Sequence, residues 1–341
     1  MCLNTLGGQT LAPGDVVDLP TRVLYIDSIS PQLDVKLVES KGMKGKYCAL
    51  SHCWGPEHKR SLCTTKGNLE EHHISVPSDK LPKTFKDALV ITKGIGIDYL
   101  WIDYLCIVQD DHDEWERESA NMGSLYEKAT LMIAASAASD SSEGCCLSLM
   151  PLGEEDPGNS PLNKRAWAFQ ERHTSRRKVF FMPGGMIWAC KTSMLNERCC
   201  DTPYKIHEHA GRSWSSLLEE YTTMNLARVS DRLPAIQGIA TEMSTTRADL
   251  GRYRFGVWEQ SMPKELIWVH NPQSRLCRKV PGTPSWSWAK IEGKKIWPLD
   301  TFYARCPVDE TLTKFKRVGL GLMYQAAYDA MDKTMKEFEI I

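Results

Sequence analysis

Three short apolar runs separated by two helical stretches constrain this chain more than any other feature. Tyr47 to Ser51 reads YCALS, Tyr99 to Asp103 reads YLWID and Leu131 to Ala135 reads LMIAA. Each is too short for a buried helix and is bounded by turn residues, so each reads as a buried strand. Between the first two, Leu81-Pro82-Lys83-Thr84 opens a helix. Phe85, Ala88, Leu89, Ile91 and Thr92 fall at helical spacing along it, and Gly94 and Gly96 end it. After the second run, the polar cluster Asp110 to Asp113 offers an N-cap. Trp115 to Lys128 then continues as an amphipathic helix with Trp115, Met122, Leu125 and Tyr126 on its apolar side. This is the order of βαβ units, so the expected fold is α/β, with a mainly parallel central sheet flanked by helices in residues 20–150.

The flanks carry different signals. Arg22 to Ile26 and Val35 to Glu39 are β-rich runs separated by a Ser/Pro turn, which predicts a hairpin ahead of the first strand. Ser148 to Lys164 is rich in Gly, Pro, Asp, Glu and Ser and makes the best boundary. It divides a core in residues 1–147 from a C-terminal α+β portion in residues 165–341, expected to pack on the core and not to fold alone. Within that portion, Arg165 to Arg172, Trp214 to Met224 and Pro234 to Met243 read as helices. Lys178 to Met182 and Met186 to Cys190 read as a hairpin turning at Pro183-Gly184-Gly185. Lys264 to Trp297 is Trp-rich and reads as short irregular strands.

Composition excludes several classes. The formal net charge is -1 over 341 residues, so no global field holds the chain on nucleic acid or an anionic membrane. No apolar run reaches the length of a membrane span, and the N-terminus has no basic start followed by an apolar core. The 12 cysteines include no C-x-x-C, and two pairs are adjacent, Cys145–Cys146 and Cys199–Cys200, a spacing ill suited to an ordinary disulfide. Reduced, mostly buried thiols in a cytoplasmic protein, with no metal site, are the expectation.

Several word-like segments line up with one family. Tyr47-Cys48-Ala49-Leu50-Ser51-His52-Cys53-Trp54-Gly55, the helix opening at Leu81-Pro82-Lys83-Thr84, and Tyr99 to Asp111 follow one another in order. Trp115, Glu118, Met122, Tyr126 and Ala129 then fit W-x-x-E-x-x-x-M-x-x-x-Y-x-x-A, and Arg165 to Arg172 fits R-x-W-x-x-Q-E-R. Trp188 with Cys190, Ser230 to Ile236 and Pro284 to Ala289 continue the match. Over roughly residues 20 to 295 the chain resembles fungal heterokaryon-incompatibility (HET) domain proteins. That resemblance implies a core like the Toll/interleukin-receptor (TIR) fold, a flavodoxin-like sheet used for self-association and, in some relatives, for cleaving NAD. It implies growth arrest or cell death on fusion of unlike cells. Many HET proteins carry additional sensor domains with no counterpart here, which leaves room for a stand-alone effector or a recruited enzyme.

Four residues are candidates for chemistry. Glu118 lies on the amphipathic helix three residues after Trp115. In a TIR-like NAD hydrolase, a carboxylate there holds ribose hydroxyls and stabilises an oxocarbenium-like transition state; the alternative is a helix-surface cap or ion pair. Asp103 ends its strand at the carboxyl edge, where α/β folds bind ligands, or else fixes the following turn. His52 ends the first strand and, with neighbouring strands, approaches Asp103 as a general base or Cys106 as a nucleophilic pair. A buried structural thiol is the plainer reading of Cys106. Glu171 and Arg172 either bind an anion or form an ion pair joining the two halves. Gly94-x-Gly96 ends a helix and is no dinucleotide fingerprint. The function expected is a HET-type incompatibility or cell-death effector acting by self-association, with NAD as a candidate substrate and no certain cofactor. The alternative is a HET-like enzyme of fungal specialised metabolism, using His52, Asp103 and Glu118 for acid–base chemistry on a small molecule.

Overall fold

The computed structural model describes residues 16–56, 62–145, 160–197, 204–205, 212–261, 265–266, 268–270 and 278–296. The chain divides into two compact units, one of residues 1–210 with 237–239, the other of residues 211–236 and 240–341. Cys146, Cys199 and Cys200 lie outside the described residues, as does most of the predicted boundary segment.

The first unit is built on a nine-stranded sheet in the order β11-β10-β9-β8-β7-β5-β6-β2-β3. Its strands are β2 (Arg22–Ser28), β3 (Asp34–Glu39), β5 (Tyr47–Ser51), β6 (Tyr99–Trp101), β7 (Leu131–Ala134), β8 (Arg177–Met182), β9 (Gly185–Cys190), β10 (Ser193–Asn196) and β11 (Tyr204–Lys205). Two short strands, β1 (Val17–Asp18) and β4 (Lys44–Gly45), pair separately. The helices are α1 (Leu69–Ile74), α2 (Lys83–Gly94), the single turn α3 (Asp103–Cys106), α4 (His112–Lys128) and α5 (Ala166–Thr174).

Among the described strands, only β6, β5, β7 and β8 run parallel. The expectation of a mainly parallel sheet is therefore corrected to a mixed one. The reason lies in the connections: β2 to β3 and β8 to β9 are joined by short turns, and a short turn can return the chain only antiparallel. The C-terminal portion also does more than pack on the sheet, since β8 hydrogen-bonds to β7 and extends it.

Taken in chain order, the four parallel strands lie 2-1-3-4 across the sheet, the order of a doubly wound fold. The chain leaves β5 toward β6 on one side, then crosses back past β5 to reach β7. With right-handed crossovers, that reversal places the connecting helices on opposite faces. Accordingly α2 packs on β5 and β6, while α4 and α5 pack on each other. Trp115 of α4 meets Trp167 of α5 edge-on at 6.3 Å.

Burial follows position. All five residues of β5 are buried, as covering on both faces requires, whereas β3 alternates exposed and buried at its start. Tyr47 and Tyr126 satisfy their hydroxyls on the Leu125 and Leu50 carbonyls, which ties α4 to β5. Asp111 caps α4 by accepting the Glu114 N–H at 3.1 Å. At the β3 edge, Val76 N–H donates to the Val35 carbonyl and His73 Nδ1 lies 2.9 Å from the Leu37 carbonyl. These contacts occupy carbonyls that a bare edge would offer to another strand.

In the second unit, α6 (Trp214–Tyr221) and most of α7 (Pro234–Thr246) accompany two two-residue strand pairings and one isolated bridge. The pairings are β12 (Tyr253–Arg254) with β13 (Val257–Trp258), and β14 (Val269–His270) with β15 (Lys295–Ile296); the bridge joins Lys279 and Ile291. Phe255 and Gly256 join β12 to β13 with φ of 47° and 92°, the left-handed pair of a type I′ hairpin. The Gly256 carbonyl accepts the indole N–H groups of both Trp214 and Trp288 at 2.7 Å.

Candidate functional site

In a doubly wound sheet the crossover reversal opens a crevice at the carboxyl ends of the strands flanking it. Here those strands are β5 and β7, and β5 ends at Ser51, with His52 directly after it. The two side chains leave on opposite faces, as strand alternation demands. Ser51 Oγ donates to a carboxylate oxygen of Glu171 on α5, and the His52 ring meets the edge of Phe85 on α2 at 5.0 Å.

His52 and Asp103 come together as their strand-end positions predicted. Asp103 opens α3 directly after β6, and its Oδ1 lies 3.8 Å from His52 Nδ1, an electrostatic contact too long for a hydrogen bond. Asp103 is held by two donors, the Trp54 indole at 2.8 Å on Oδ2 and the Tyr104 N–H at 2.8 Å on Oδ1. His52 Nε2 is buried without a hydrogen-bond partner. Burial pulls the imidazole down to about 4, against the pull of Asp103 and with help from Arg165, so His52 is neutral at pH 7.

Arg165 stands at the centre of the cluster. Its guanidinium donates to the His52 carbonyl and lies 5.7 Å from the centre of the Trp54 ring. Glu171 is fully enclosed, and burial raises its carboxyl to about 7; Arg165 and the Ser51 and Tyr126 hydroxyls draw it down. Arg165 is a cation acting on Glu171, and the Arg172 guanidinium lies over Phe169 at 5.6 Å. Trp54, Tyr104 and Arg165 are half-buried and form the outward side of the group, whereas Ser51, His52, Asp103 and Glu171 are buried.

The other two sequence candidates sit in different surroundings. Glu118 is buried on α4 and accepts from Thr21 Oγ1 at 2.7 Å. Cys106 is 2% exposed, burial pushes its thiol up to about 12, and its Sγ accepts the Ile102 N–H at 3.5 Å. These are the surroundings of a packed thiol. Sequence reasoning gave no site role to Arg165 and Trp54 and weighed Glu171 only for anion binding or a structural pair. The available signal was their place in two contiguous words, S-H-C-W-G and R-x-W-x-x-Q-E-R.

Gly55 turns the chain away from the cluster with φ of 76°, and an added Cβ would lie 2.4 Å from Asp140 Cβ. Gly55→Ala therefore combines left-handed strain with a collision against a buried residue. We expect a loss of about 2 to 4 kcal/mol in denaturant unfolding. A variant as stable as the wild type would show that the turn relaxes freely.

Among the described residues, no group of three or more His, Cys, Asp or Glu side chains is arranged to hold a metal ion. No helix among them is long and apolar enough to cross a membrane. Residues 47–155 match the family model for heterokaryon incompatibility protein (HET), a span that holds β5, α2, β6, α4 and β7. No curated protein and no solved structure matches the chain.

Proposed function

We propose that this chain is an incompatibility- or cell-death-type effector of the cytoplasm. Its HET domain acts by self-association and cleaves a small molecule, with NAD the first substrate to test. The single observation that supports a reactive site is the convergence of His52, Asp103, Arg165 and Glu171 on the carboxyl end of β5, beside the crossover reversal. A carboxyl raised to about 7 exchanges its proton near neutral pH, which suits a general acid or base.

In NAD cleavage the bond between ribose C1′ and the nicotinamide nitrogen breaks, and nicotinamide leaves with the bonding electron pair. A nearby carboxylate steadies the oxocarbenium-like centre, and water adds to C1′ while giving up a proton. In this reading Asp103 supplies the carboxylate, Glu171 or neutral His52 takes the proton, and Arg165 binds phosphate oxygens. Glu118 is the competing carboxylate.

The test is nicotinamide release by purified protein, with Asp103→Asn, Glu171→Gln and Glu118→Ala beside the wild type. We expect release that falls about 100-fold or more in Asp103→Asn and Glu171→Gln. Loss in Glu118→Ala alone would move the site to the Thr21–Glu118 contact. No release at high protein concentration would remove NAD, and a concentration-independent monomer in sedimentation would remove self-association. The second reading, an acid–base enzyme acting on another small molecule, is favoured by the raised carboxyl of Glu171 and would then take precedence.

A further inference from the structure

Ser51 closes β5, and its hydroxyl donates to Oε2 of Glu171 on α5. Both side chains are buried, so neither has bulk water as a substitute partner.

Other groups face the same carboxyl without holding it. The Tyr126 hydroxyl on α4 acts on it, but carries one proton, which it gives to the Leu50 carbonyl at 2.9 Å. Arg165, ahead of α5, donates through Nη1 to the His52 carbonyl and acts on Glu171 by charge. Asp103 on α3 opposes it with like charge, and the Cys53 thiol, just past β5, lies within its field. Among the described residues, Ser51 is therefore the side-chain donor placed on Glu171 without a competing acceptor.

A hydroxyl suits a carboxyl that changes its protonation state. It donates to the carboxylate and can turn to accept from the neutral acid, so one contact serves both states. The donated bond is the stronger of the two, because its acceptor is charged. Burial raises the Glu171 carboxyl to about 7, while Arg165 and then Ser51 draw it down. His52 leaves the strand toward Phe85, and its Nε2 has no such partner.

We propose that Ser51 is the positioning residue of Glu171: its hydroxyl fixes the carboxyl at the end of β5 in both protonation states and sets how tightly the proton is held. This rests on the reading of Glu171 as an acid–base group and names what holds that group in place.

Isotope-labelled glutamate carboxyls read the titration by NMR in the full chain, with the Glu171 signal assigned by its loss in Glu171→Gln. In Ser51→Ala the ionised form loses its donor. The midpoint should then rise by about one unit, which is about tenfold in proton affinity. Ser51→Thr keeps the hydroxyl and should stay within about half a unit of the wild type. Ser51→Cys is close in size and donates weakly, so it should follow Ser51→Ala and replaces it if that variant does not fold. Tyr126→Phe should move the midpoint less, since its proton belongs to Leu50. A midpoint unchanged in Ser51→Ala and Ser51→Cys, or moved further by Tyr126→Phe, overturns the proposal. The titration needs no substrate, so a protein that releases no nicotinamide overturns the NAD reading alone. Where nicotinamide is released, kcat should fall in Ser51→Ala with KM held, and the pH limb should move with the midpoint. A limb that stays in place would remove Ser51 from the reaction.

Discussion

Replacing Glu171 with Gln should make the protein more stable relative to the wild type as pH rises from 4.5 to 7, by about 3 kcal/mol across that window. Burial raises the folded-state carboxyl from its ordinary 4.5 to about 7. Between those values the unfolded chain has released the proton while the folded chain keeps it. The stabilisation from this group is therefore complete below 4.5 and lost as pH climbs through 7. His52 works in the opposite sense, since burial lowers it from 6.5 to about 4. Below 6.5 the unfolded chain takes up a proton that the folded chain refuses, so stability falls as pH drops toward 4. The two slopes offset each other between about 4.5 and 6.5 in the wild type. Each single variant exposes the other group: His52→Gln should gain about 3 kcal/mol on the wild type as pH falls from 6.5 to 4. Urea unfolding at half-unit pH steps reads both differences. Profiles that run parallel in all three proteins would show that neither group is shifted by burial.

A larger loss is expected from Glu114→Ala. Glu114 and Arg22 form a buried ion pair through Arg22 Nη2, and the same carboxylate accepts the Val108 N–H at 2.9 Å. Arg22 Nε donates to the Cys106 carbonyl at 3.1 Å. Removing the carboxylate leaves a buried guanidinium and a buried amide without their acceptor. Glu39, 3.9 Å from Nη1 and more than a third exposed, is too distant to replace it. A cost of about 3 to 5 kcal/mol follows. The double change Arg22→Met with Glu114→Leu should recover most of it, because the penalty arises from the stranded charge and not from the lost pair. Denaturant midpoints decide the matter, and a double variant no better than Glu114→Ala would sink the explanation. The effect should reach the candidate site as well: the Cys106 carbonyl ends the single turn that begins at Asp103, so this pair helps hold that turn against β2.

Glu118 and Glu114 show how a sequence pattern can point to the right helix and leave the partner open. Both are spaced to share a face of α4, and both are buried. One meets Thr21, just ahead of β2, and the other meets Arg22, the first residue of β2, which pairs antiparallel with β6. Nothing in residues 112–128 announces those partners, which lie about a hundred positions earlier.

The sequence alone determined the elements whose signal is local. β5, β6 and β7 were legible as short apolar runs, α2 and α4 as periodic stretches with their caps, and the two hairpins from their turn residues. His52 and Asp103 were legible as well, because an ionisable residue at the end of a buried parallel strand has few other places to be. Tertiary structure decided the rest. It placed β8 beside β7 across the Ser148 to Lys164 segment, added antiparallel flanks that make the sheet mixed, and brought Arg165 and Glu171 to the end of β5. Glu171 and Ser51 are 120 residues apart, and no periodicity or propensity encodes a contact at that separation. Strand pairing and the reversal of the crossovers fix it, and the burial they impose sets the ionisation of both His52 and Glu171.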